Sequence, residues 1–257
     1  PRETLAEWLL TPENPFLARA MANRVWGQFL GRGIVHPVDD FRETNPPVNP
    51  ELLDALAADF AVHDFDLRHL MRRIMNSRLY QLSSLPNKTN VHDTSSFSRF
   101  YRRRISAENL HDILVQVSGV ESGFNNLRRD ARSVELWTTR MDSALLESFG
   151  LPNSSENCPV ERDDSPSMVQ ALHLMNSDKL QAKLAHKSGR AAKLGQEGKA
   201  SDEVVNELYL ALYSRWPSDE EKRIALEAFK GKGTKRHEVI EDIIWALINT
   251  AEFVFNH

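Results

Sequence analysis

His36, Asp39 and Asp40 fall within five residues of one another in the stretch 23–41, NRVWGQFLGRGIVHPVDDF. An imidazole beside two carboxylates is a donor set that divalent cations accept. Such a site needs at least one more ligand, and Pro37 stiffens the segment that would supply it. The same acids also read as turn caps and as partners for Arg24 or Arg42, so no metal site is assigned. Gly31-Arg32-Gly33 follows a helix, whereas phosphate-cradling glycines follow a strand and open a helix.

A second charged stretch is Phe100-Tyr101-Arg102-Arg103-Arg104, followed by Glu108 and Asp112. Three guanidinium groups beside two aromatics can stack on bases or clamp an anion. Glu108 and Asp112 lie four residues apart on a helix and share a face. The opposite signs of the two stretches favour an internal network, in which Arg24, Asp39, Asp40, Arg42, Arg103, Arg104, Glu108 and Asp112 neutralise one another. The alternative is a hydrolase pocket for a carbohydrate or sulfated polymer, with Asp39 or Asp40 and Glu108 as acid and base. Glycoside hydrolysis would need those carboxyls about 5–10 Å apart in an open cleft.

Cys158 is the single cysteine, which excludes a disulfide within the chain. A lone thiol becomes a nucleophile only beside a base or with a depressed pKa. A small buried thiol is the commoner outcome. His111 and His173 fall on predicted helices as hydrogen-bonding groups. No Gly-x-Ser-x-Gly, His-Glu-x-x-His or Cys-x-x-Cys-His occurs.

The elements that position these residues are helical nearly throughout. Leu5, Trp8 and Leu9 mark a first short helix. Asn14-Pro15 and Asn49-Pro50 each read as an N-cap followed by proline at the first helical position. Between them Phe16, Leu17, Ala20, Met21 and Val25 form an apolar stripe, and Gly31 stops the helix. Asp66 caps a further helix, and 83–97 is a polar loop. Ser106 caps the helix through Leu110, Ile113, Leu114 and Val117, closed by Gly119. An extended piece is expected at 133–138, and a short helix at 142–149 between Asp142 and Gly150. Ser165-Pro166 opens one long helix carrying Met168, Ala171, Leu172, Met175 and Leu184. Residues 187–200, rich in Gly, Lys and Ala, read as mobile. Three helices follow, the second opening with a Ser218–Glu221 capping box.

The chain has 257 residues and a formal charge of −4. Slight acidity argues against a nucleic-acid partner. No apolar run is long enough to insert into a membrane. The start at Pro1-Arg2-Glu3 points to a piece of a longer protein. The fold class expected is all-α: an irregular multi-helix bundle with long loops and a small C-terminal helical subdomain. The division expected is a main domain at 1–190 and a three-helix subdomain at 201–257 packed on it, or one continuous domain.

Several stretches together resemble one family. They are 23–26 (NRVW), 31–41 (GRGIVHPVDDF), 49–54 (NPELLD), 77–84 (SRLYQLSS), 103–108 (RRISAE), 158–162 (CPVER), 166–176 (PSMVQALHLMN), 215–217 (RWP) and 249–257 (NTAEFVFNH). The chain is similar in these to the planctomycete-type Domain of Unknown Function 1553, found at the C-terminus of cytochrome c-like multidomain proteins. The resemblance marks Cys158, Arg162, Gln170 and Asn176 as a second candidate group. Members often carry a cysteine pair there, where this chain has only Cys158. The resemblance implies an extracytoplasmic parent (periplasmic or cell-surface), haem in upstream domains but no cofactor in this chain, and other domains of the parent as partners. It transfers no reaction. The function expected is a scaffold or interaction domain, with the carbohydrate-directed hydrolase as its rival.

Overall fold

The structure, a computed structural model, describes residues 2–11, 14–122, 124, 128, 130–136, 144–151, 167–231 and 233–256. It is all-α apart from two two-residue strands. The chain divides into two compact units, 1–103 and 104–256.

The first unit holds α1 (Arg2–Leu9), α2 (Pro15–Leu30), α3 (Pro50–Val62) and α4 (Leu67–Met75). The helix starts form as the sequence dictates. The Asn14 carboxamide accepts from the Phe16 and Leu17 N–H groups, Asn49 accepts from Leu52, and Asp66 accepts from Arg68. Each cap satisfies a backbone donor that has no partner inside its helix. Asn49→Ala is expected to cost the unit about 1 kcal/mol, read from the opening energy of α3 amides in hydrogen exchange. Gly31 closes α2 in the left-handed region at φ 77°, its N–H donating to the Gly27 carbonyl.

The core of this unit is built from Ala22, Val25, Trp26 and Leu30 of α2, Leu53, Ala57 and Phe60 of α3, and Leu70 and Ile74 of α4. Ile34 and Val35 join it from the turn after α2. Phe16, placed by its spacing on the apolar stripe, instead faces outward with its ring 6.3 Å from that of Trp8.

The second unit holds α5 (Ala107–Ser118), α6 (Ala144–Ser148), α7 (Met168–Asn176), α8 (Asp178–Leu184), α9 (Arg190–Gln196), α10 (Ser201–Tyr213), α11 (Asp219–Ala228), α12 (Arg236–Ile248) and α13 (Ala251–Val254). The strand β2 (Phe255–Asn256) pairs with β1 (Arg103–Arg104). Next to this pairing the Ile105 N–H donates to the Val254 carbonyl. The residues from 201 onward share one core with the helices before them. Ile240, Ile244 and Leu247 of α12 pack with Leu180 and Leu184 of α8 and Leu194 of α9.

Three local expectations differ from the structure. Ser133–Glu135 forms a 3-10 turn rather than an extended strand, while residues 137 and 138 lie outside the described residues. The helix expected through 168–184 breaks at Ser177, whose extended backbone (ψ 111°) ends α7 and whose hydroxyl caps α8. The Gly- and Lys-rich stretch expected to be mobile contains α9. Burial of Ala191 and Leu194 orders it, and Gly195 lets it approach α12, where an added Cβ would sit 2.9 Å from that of His237.

Candidate functional site

The 36–42 corner lies in the first unit and is assembled by Asn23. This side chain is fully buried. Its amide nitrogen donates to the Val35 carbonyl at 2.9 Å and to the Val38 carbonyl at 2.8 Å, and its oxygen accepts from the Val35 N–H at 2.9 Å. The turn is thereby pinned to α2. Gly33 belongs to the same device: an added Cβ would lie 2.2 Å from the Val35 oxygen and 2.9 Å from the Asn23 amide nitrogen. The two glycines of Gly-Arg-Gly thus serve different needs, one a left-handed backbone and the other a close approach.

On this corner Asp39 takes both its short contacts, at 2.7 and 2.8 Å, from Arg24. Asp40 pairs with Arg42 at 2.9 Å, while the Asn45 side chain donates to the Asp40 carbonyl at 2.8 Å. Arg24, Asp39 and Arg42 are exposed, and such pairs contribute about 0–1 kcal/mol. His36 has its pKa lowered, first by burial and then by the Arg32 charge. Arg103 is half-buried, and burial lowers its guanidinium pKa. Among the described residues no carboxylate pairs with it.

Arg104, Glu108 and Asp112 lie in the second unit. The Arg104 guanidinium donates to the Phe149 carbonyl at 2.9 Å and sits 5.4 Å over the Phe149 ring. Glu108 occupies the first turn of α5, where a carboxylate complements the helix dipole. Asp112 accepts from the Ser133 N–H at 2.6 Å and from Arg132 Nε at 3.3 Å. The Ser133 hydroxyl lies 2.6 Å from His111 Nδ1, which is itself 3.7 Å from Asp112.

This serine–histidine–aspartate trio is not a hydrolytic triad. The hydroxyl and the carboxylate both approach the same ring nitrogen, whereas a triad uses opposite ones. Ser133 is also only 1% exposed. Burial, then the nearby Lys183 charge, lowers the His111 pKa, while Asp112 opposes the shift.

A cavity of about 230 Å³ brings together residues from distant parts of this unit. Arg104, Phe149, Gln170, Leu174, Asn249 and Thr250 form much of its wall. Gln170 is buried at the third position of α7, its side-chain oxygen accepting from the Ser167 N–H at 3.1 Å. The Asn249 amide donates to the Trp245 carbonyl at 2.8 Å. The Thr250 hydroxyl donates to the Leu247 carbonyl and meets the Tyr213 hydroxyl at 2.7 Å. Asn176, at the end of α7, is exposed and does not line the cavity. Cys158 and Arg162 lie outside the described residues. The wall residues Phe149, Asn249 and Thr250 were not singled out from the sequence. The last two stand in the closing 249–257 stretch, whose resemblance could have flagged them.

The wall continues onto the surface. Met175 belongs both to the cavity and to the outer face of α7, where Met168, Val169, Leu172 and Met175 are 80, 62, 50 and 43% exposed. This apolar stripe points outward, and Gln170 and Leu174 point in.

Elsewhere in the second unit, Arg215 draws two carboxylates together. It forks onto Glu221 at 2.9 and 2.7 Å and onto Glu252 at 2.6 and 2.7 Å. Its guanidinium lies 5.5 and 5.4 Å over the rings of Tyr209 and Tyr213.

A family model described as PSD1, protein of unknown function (DUF1553), matches residues 1–229. No curated protein matches the chain, and no solved structure does.

Proposed function

The chain belongs to the DUF1553 family of proteins of unknown function, and from that membership we propose a helical interaction domain that docks other domains of a larger parent protein. The observation carrying this reading is the outward apolar stripe of α7. Met168, Leu172 and Met175 recur at helical spacing on the exposed face, and Met175 adjoins the Arg104 cavity. Contiguous exposed apolar surface of this kind marks interaction sites more often than it occurs by default. Methionine suits such a face because its flexible thioether adapts to the partner. A partner side chain of leucine or phenylalanine size suits a cavity of about 230 Å³.

The resemblance to cytochrome c-associated chains supports an extracytoplasmic parent with haem in a neighbouring domain. Among the described residues no helix is long and apolar enough to cross a membrane. The hydrolase reading has less support. Of its proposed acid–base residues, Asp39 is paired with Arg24 and Asp40 with Arg42.

The test is binding between this chain and the remainder of its parent protein, produced separately. Met168→Lys with Leu172→Lys is expected to weaken that binding by about tenfold or more, since central apolar anchors dominate interfaces. Both side chains are exposed, so the melting temperature should stay the same. Unchanged affinity in the double variant would remove α7 as the docking face.

A further inference from the structure

We propose that Asp59, His63 and His69 in the first unit form a binding site for a zinc-type divalent transition-metal ion. No sequence motif marks these residues, and none of them belongs to the 36–42 stretch. Their donor atoms, one from each residue, lie within 4.8 Å of one another. His69 Nε2 is 2.8 Å from Asp59 Oδ2, and His63 Nδ1 is 3.6 Å from Asp59 Oδ1.

The backbone sets this convergence. Asp59 sits on the last turn of α3, and His63, four residues on, stands just past its end on the same side. Asp64 and Phe65 then both adopt left-handed backbone, at φ 51° and 57°, and turn the chain sharply. Asp66 caps α4, which fixes its first turn and places His69 back over the end of α3.

The donor chemistry selects the ion. Two imidazoles and one carboxylate suit zinc, cobalt, nickel or copper, whereas magnesium and calcium want oxygen donors. A tetrahedral ion with bonds of about 2.0–2.1 Å places neighbouring donors roughly 3.3–3.4 Å apart. The two short separations reach different oxygens of Asp59, so its carboxylate must turn to present one of them to the ion, within a donor set spanning no more than 4.8 Å. Three protein ligands leave a fourth position for water or an external donor, and His63 is exposed to solvent.

Three present interactions must yield, the first being the hydrogen bond that His69 Nε2–H donates to Asp59 Oδ2 at 2.8 Å, released when that proton moves to Nδ1. The His63 and His69 rings stack at 3.7 Å between centroids and 14° between planes. An ion held by both nitrogens lies in both ring planes only after the rings tilt apart. His63 Nδ1 also contacts the Asp59 carbonyl at 2.7 Å. The tautomer with its proton on Nε2 frees that nitrogen for the metal. Arg73 Nε, 3.6 Å from Asp59 Oδ2, competes for the carboxylate.

The test uses the whole chain and cobalt(II) as a spectroscopic probe. One equivalent should give the visible absorption of a tetrahedral cobalt centre, and zinc should displace it while magnesium does not. His63→Gln, at an exposed position that the fold tolerates, and His69→Ala should each weaken binding by about tenfold or more. His92→Ala, at an exposed histidine elsewhere, should bind as the parent chain does. Arg73→Ala should bind up to about fivefold tighter, because the competing cation is gone. Absence of the cobalt spectrum, or full-strength binding in both His63→Gln and His69→Ala, would overturn the assignment.

Discussion

Asn23→Ala is expected to destabilise the first unit by about 3 kcal/mol or more, because a buried N–H, a buried carbonyl and a half-buried carbonyl lose their partner together. Each such unmade bond costs about 1–3 kcal/mol when water cannot replace it. Asn23→Asp should cost more. The carboxylate can still accept from Val35, but it turns an oxygen toward the Val35 and Val38 carbonyls that the amide nitrogen now serves. The measurement is the opening energy of α2 amides by hydrogen exchange, which isolates this unit from the other. Arg24→Ala is the control. Its exposed pair with Asp39 should change the same energy by no more than about 1 kcal/mol. Equal losses in Asn23→Ala and Arg24→Ala would show that the corner is not held by the buried amide.

Arg215→Ala is the second large effect expected, about 2 kcal/mol or more of stability lost from the second unit. The guanidinium forks onto two carboxylates and stacks on two tyrosines, so its removal takes a forked pair from each of Glu221 and Glu252 and the cation from two rings. Arg215→Lys should recover only part of the loss, since a point charge cannot make two forked pairs at once.

The pH dependence gives an independent readout. Hydrogen bonding from Arg215 lowers the Glu221 carboxyl from 4.5 to about 2. A carboxyl lowered in the folded state contributes stability that is complete above about pH 4.5, and that is lost as the pH falls from there toward about 2. The melting temperature of the wild type should therefore fall through this window. Arg215→Ala should start lower and fall less steeply. Parallel acid limbs in the two proteins would mean that the pairing does not set this dependence.

Both predictions rest on side chains whose sequence signals were of unequal quality. Arg215 could have been suspected, since it stands in the Arg-Trp-Pro stretch of the resemblance and Glu221 is half of a readable capping box. Glu252, its other partner, is 37 residues away and has no local signal pointing to Arg215. Asn23 is harder still. An asparagine inside a helix reads as a weak helix former, and nothing local says that it serves a turn twelve residues later.

The charged residues of the first candidate group divide in the same way. Asp39 with Arg24 and Asp40 with Arg42 are short-range pairings that sequence spacing admits. The partners of Asp112 are Arg132 and Ser133, the second of them in a stretch expected to be extended.

The sequence by itself determined several of the helix starts and stops. Asn14, Asn49, Asp66, Ser106 and Ser218 cap helices, and Gly31 and Gly119 end them, because each of those steps depends on a few neighbouring residues. Tertiary structure alone decided which faces are buried and which distant groups meet. It turned the α7 stripe outward, ordered α9 against α12, gathered Arg104, Phe149 and Thr250 around one cavity, and set His69 beside Asp59. Periodicity says that a helix has an apolar side, but the competition among all such sides for a limited interior decides which of them water touches.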